Sequence, residues 1–178
     1  MKILSSSIFV FFIFFSCKEN NMDMQFIDVS NQWKIDPSGV VISSLSDNQW
    51  RFTTFSPMEQ SLFSNLDTTN LIGTSTPDST IEVLGSGNFP HPNPFLSVHY
   101  LSFQFNNNYS GEYVLKYVIV NTLLKPVFSL AIRLGNNNNG VAIIPDIPIG
   151  KYRLFYTLSS LQDPHFYKSW GNIEKLPR

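Results

Sequence analysis

YVLKYVIV (Tyr113–Val120) and FSLAIRL (Phe128–Leu134) decide the fold class. In the first, Tyr113, Leu115, Tyr117 and Ile119 fall on one face of an extended chain. In the second, Phe128, Leu130, Ile132 and Leu134 alternate with Ser129, Ala131 and Arg133, the two-residue period of a half-buried strand. Tyr152, Leu154, Tyr156 and Leu158 repeat that period. Composition agrees. Alanine occurs only at Ala131 and Ala142, whereas Phe occurs 16 times and Tyr 7 times. Strands favour aromatic and β-branched residues, and helices lean on Ala, Glu and Lys. The chain is expected to be all-β.

Working outward, Val141 to Ile144 reads as a short strand, and Phe166 to Glu174 closes the domain. On the N-terminal side, Phe95 to Phe105 and Ile81 to Leu84 read as two more. Asn106 to Gly111, Gly135 to Gly140 and Ser159 to Pro164 supply the turns. Pro90, Pro92 and Pro94 alternate, which predicts an extended loop rather than a ladder strand. Seven short strands with turns between them over residues 76–178 are the pattern of an immunoglobulin-like β-sandwich. Gly150-Lys151-Tyr152 at the entry to a late strand resembles the tyrosine corner of such sandwiches, where the phenol bonds back to upstream backbone. Together with Pro92-Asn93-Pro94-Phe95 and a final hairpin ending near Lys175, it also resembles the C-terminal Ig-like sorting domains of type IX secretion cargo. The Trp-Asp-Gly segment common before the Gly-x-Tyr step in that family is absent.

Residues 25–75 form an N-terminal extension or extra strands, with Gln25 to Val29, Val40 to Ser43 and Trp50 to Phe55 as candidate strands. Asn31-Gln32-Trp33-Lys34-Ile35 and Asn48-Gln49-Trp50-Arg51-Phe52 echo each other, and two copies are too few for a repeat architecture. Ser56-Pro57-Met58-Glu59 is a helix start: Ser56 caps, Pro57 suits the first helical position, and Glu59 completes a capping box. Met58, Leu62 and Leu66 share a face, so a short helix is expected near 57–66.

Ahead of the extension, Met1-Lys2 is followed by an apolar stretch, Ile3 to Phe15, interrupted by Ser5-Ser6-Ser7. That is short of the ~20 residues a membrane span needs. Phe14-Phe15-Ser16-Cys17 resembles the lipobox of bacterial lipoproteins, departing from it at Phe14 and Phe15 and matching at Ser16 and Cys17. The resemblance implies a signal peptide over 1–16, lipidation of Cys17 and a polar tether over 17–24. At ~0.8 kcal/mol per buried methylene, two or three acyl chains hold a soluble domain durably. Cys17 is the only cysteine, so the domain has no intramolecular disulfide. Lys18-Glu19 resembles the surface-export signals of Bacteroidota lipoproteins, and Asp67-Thr68-Thr69 and Asp78-Ser79-Thr80 resemble that phylum's O-glycosylation triplets. Together they imply a lipid-anchored envelope protein, outer-membrane in location, facing either the surface or the periplasm.

No constellation carries catalysis. His91, His99 and His165 lack metal-site spacing, and His99 reads as a core-edge or surface strand residue. There is no Gly-x-Ser-x-Gly, and the aspartates are scattered. Asp146 near Asn136 to Asn139 reads as a solvated loop rather than a calcium site. Net charge is −1 with no run of basic residues, which disfavours a nucleic-acid partner. The expectation is a protein that is not an enzyme and takes no metal or cofactor. Its work is protein binding as an accessory or assembly subunit of an envelope complex. The alternative is a glycan-binding or adhesion module, with Trp33, Trp50, Trp170 and Tyr167 as candidate ligand-binding residues whose exposed rings would stack on sugars. The competing reading of those tryptophans is core packing.

Overall fold

The computed structural model describes residues 26–43, 49–50, 53–66, 90–102, 113–134, 140–160 and 167–178. Its elements are β1 (Lys34–Ile35), β2 (Val41–Ser43), α1 (Pro57–Ser61), β3 (His99–Ser102), β4 (Tyr113–Val120), β5 (Pro126–Leu134), β6 (Gly140–Ile143), β7 (Gly150–Ser160) and β8 (Tyr167–Lys175). Strands account for 51% of these residues and helix for 5%, an all-β, sandwich-like fold.

A four-stranded antiparallel sheet, in the order β5-β4-β7-β8, is the backbone of the structure. Residue parity sorts its side chains. Tyr113, Leu115, Tyr117 and Ile119 of β4 share a first core with Tyr152, Leu154, Tyr156 and Leu158 of β7 and Ile173 of β8. Val118, Val120 and Phe155 point the other way into a second core. Burial on both faces explains why β4 reads as a near-continuous apolar run with one charged residue, Lys116.

The first core is closed by the β3–β6 pair, which contributes Leu101 and Ile143, and by Trp33, Ile35, Trp50 and Phe95. The second is closed by Ile27, Val29, Phe55, Phe63 and Leu124, with Met58, Leu62 and Leu66 packed against it. The described part of the N-terminal extension is therefore built into both cores; it is no separate lobe. At the end of the sheet, β8 is covered by backbone from two segments. Trp50 and Thr53 donate to Trp170 and Lys168, and Phe95 donates to Glu174.

Several boundaries differ from the sequence expectation. Residues 26–29 and 53–55 form no strand: Ile27 donates to Thr122, and Trp50 turns at a left-handed φ of 59°, so neither segment sustains a ladder. Trp33 immediately precedes strand β1, whereas Trp50 lies in a turn. The helix has its capping box, but beyond Ser61 the bonds tighten to the three-residue spacing of Phe63 to Gln60 and Leu66 to Phe63. Within Phe95 to Phe105, the described strand covers only His99–Ser102. Ile81 to Leu84 lies outside the described residues.

The tyrosine corner is present. Tyr152 Oη donates to the Pro148 carbonyl at 3.0 Å, its ring joins the first core, and Gly150 adopts a φ of 151° that a side chain would rarely tolerate.

Candidate functional site

The alternating prolines do more than extend the chain. His91, Asn93 and Phe95 each bridge to a different partner: Tyr100, Ile35 and Lys175. The prolines occupy the intervening positions, where a missing N–H interrupts no bond. Asn93 ties this zipper together. Its backbone exchanges two 2.8 Å bonds with Ile35. Its buried side-chain amide donates to the carbonyls of Trp33 and Asn172 at 2.7 and 2.9 Å, and its Oδ1 accepts from the Glu174 N–H at 3.1 Å. One side chain thus links the extension, the proline segment and β8.

The β1–β2 hairpin stands beside it, turned by Asp36, whose carboxylate accepts from the Ser38 and Val40 N–H groups. Between hairpin and proline segment lies a groove of about 550 Å³, lined by Ile35, Ile42, Pro92, Pro94, Leu96 and Tyr100 among others. Ile42 is 69% exposed, Leu96 53% and Tyr100 46%, so a contiguous apolar surface meets solvent here. His91 stacks on Tyr100 with ring centroids 5.9 Å apart. Lys34 and Asp36 place opposite charges among the lining residues.

Trp33 and Trp50 are core, only 8% and 4% exposed, with no face left for a sugar. The Trp50 indole lies against Gly171, where any side chain would overlap it. Trp170 is half-buried against the second core, and the Arg153 guanidinium sits 4.2 Å from its ring centroid. That same guanidinium donates to Asn172 Oδ1 and the Asp28 carbonyl, so the cation on the ring is held in place. Tyr167 packs on the first core, 5.9 Å from Tyr156. The structure therefore sets Trp33, Trp50 and Tyr167 in or against the first core and Trp170 against the second, and it buries two of the four candidate ligand residues. Cys17 and His165 lie outside the described residues.

His99 is not at the edge or the surface. It is fully buried, stacked 4.9 Å from Phe95, with Nδ1 2.8 Å from the Tyr117 hydroxyl. Burial, reinforced by the neighbouring His91, pushes its pKa down to about 3, so it is a neutral packing residue at physiological pH. Among the described residues, no three His, Cys, Asp or Glu side chains converge as a metal site would require. Among them, no helix is long and apolar enough to cross a membrane.

The groove escaped the sequence reading because Ile42, Leu96 and Tyr100 come from three separate segments. The only local signal was the proline alternation beside Leu96. No family model matches the chain, and searches of curated proteins and of solved structures find no match.

Proposed function

We propose that this chain is a non-catalytic, lipid-anchored envelope protein, held through Cys17, that acts as an accessory or assembly subunit by binding another protein. The observation that carries the reading is the groove: exposed Ile42, Leu96 and Tyr100 around an apolar cleft, on a frame fixed by the Asn93 network. Scattered apolar residues are normal on a surface, whereas a contiguous patch beside a cleft suits a partner's apolar segment. The glycan alternative loses its best residues, because Trp33 and Trp50 are buried and the ring of Trp170 carries Arg153.

The test places a photo-crosslinking residue at Leu96 in cells and repeats it with Ile42→Glu. Capture of one envelope protein, lost in Ile42→Glu while thermal stability is unchanged, supports the reading. Retention on a polysaccharide, unaffected by Ile42→Glu, favours the glycan module. Protease shaving of intact cells with wild type and Cys17→Ala tests the anchor separately: a mutant held as firmly as wild type removes it.

A further inference from the structure

The second face of the sheet holds a different site. In the strand register Lys116 of β4 pairs with Thr157 of β7, and Thr157 pairs with Lys168 of β8. The three side chains stand in a row on one face, the two lysines roughly 10 Å apart at their Cα atoms by two strand spacings. They line a pocket of about 240 Å³ walled by Phe55 and Phe63, which stack at 5.7 Å, with Ser159 further along β7.

Two observations make this a site rather than a dent. Both lysines are half-buried, yet neither ammonium has a carboxylate or carbonyl partner among the described residues. Thr157 is only 8% exposed and stands between the two lysines among the residues lining the pocket. Each ammonium carries three donors and no acceptor, and the hydroxyl adds a donor between them. The group that completes this set is negatively charged and offers acceptors in several directions. A tetrahedral oxyanion does so toward three strands at once, where a planar carboxylate presents only two oxygens.

We propose that this pocket binds a phosphate or sulfate group between Lys116 and Lys168, with Thr157 donating to it. The proposal is independent of the groove: the two sites share no residue.

The experiment titrates the full chain, in detergent at low ionic strength, with inorganic phosphate, inorganic sulfate and glycerol phosphate, following the amide resonances of Thr157 and Ser159. Saturable shifts are expected for wild type, weakened roughly tenfold in Lys116→Gln and in Lys168→Gln and unchanged in Lys125→Gln. Thr157→Val, nearly isosteric, should weaken binding while the fold stays intact. Tighter binding of glycerol phosphate than of the free ions identifies an ester as the ligand; equal binding identifies the free anion. Either result upholds the site. Absence of saturable shifts, or shifts of equal size and midpoint in the Lys116→Gln/Lys168→Gln double variant, overturns it.

Discussion

Acid should weaken this fold through one buried side chain. His99 is sealed between Phe95 and Tyr117, and burial, aided by His91, pulls its pKa from 6.5 to about 3. The unfolded chain takes up a proton on His99 below pH 6.5, whereas the folded chain stays neutral down to about pH 3. The neutral ring's stabilising effect is therefore complete above pH 6.5 and is lost progressively as pH falls toward 3. The slope approaches about 1.4 kcal/mol per pH unit. Between about pH 7 and about pH 5, linkage gives a loss of about 2 kcal/mol from His99 alone, a sizeable share of a typical domain's stability. Carboxylates of ordinary pKa contribute little across that window. The assay is urea unfolding by tryptophan fluorescence at both pH values, for wild type and His99→Gln. Gln keeps a polar atom toward Tyr117 and cannot titrate. The variant should start less stable and lose at least about 1 kcal/mol less between the two pH values. Equal losses in the two proteins, or a His99 pKa near its ordinary value by NMR, would refute the reasoning.

Three further substitutions probe the frame. Gly171→Ala puts a Cβ into the Trp50 indole, and a close-packed core yields only by shifting, so about 3 kcal/mol of stability should be lost in urea unfolding. If the loss is under about 1 kcal/mol, Trp50 is not seated on β8. Tyr152→Phe removes the bond to Pro148 and leaves the ring in the core; a fall of about 1 kcal/mol is expected, and no change would mean the corner contributes nothing. Asn93→Leu leaves the Trp33 and Asn172 carbonyls and the Glu174 N–H without their partner, at a cost of about 3 kcal/mol. Hydrogen exchange should then accelerate at Ile35 and Glu174 before the centre of β4, and uniform acceleration would deny Asn93 its linking role.

Much of the sheet was legible because side-chain parity is a local property. Tyr113 to Ile119 and Tyr152 to Leu158 alternate visibly, and the structure puts both sets into one core. Gly150-Lys151-Tyr152 was legible for the same reason, its bond running only four residues back. The helix start was legible in Ser56 and Glu59, whose reciprocal bonds span three residues. The extension was not, because its order depends on distant partners. Trp50 reads as a strand start by its neighbours, but its place is set by the absence of a side chain at Gly171. Asn93 reads as a loop residue between prolines, and its amide meets Asn172, 79 positions away.

The same distinction governs the two candidate sites. Lys116 is conspicuous in YVLKYVIV as a charge inside an otherwise apolar, buried strand. A charge at such a position calls for a partner, and the sequence gives no sign of where one would come from. The register answers with a second lysine and a threonine instead of a carboxylate. A residue pattern that placed Asp or Glu at position 157 would have offset one of the row's two positive charges from within. Thr157 there leaves two lysines lining one cavity, and the proposed site draws its negative charge from solution. A Thr157→Glu variant makes this concrete. Supplying the carboxylate internally should abolish phosphate and sulfate binding and leave the protein at least as stable as Thr157→Gln, its neutral counterpart of equal size. If Thr157→Glu is instead less stable than Thr157→Gln by about 1 kcal/mol or more, the two ammonium groups do not face the pocket, and the row is a register coincidence rather than a site.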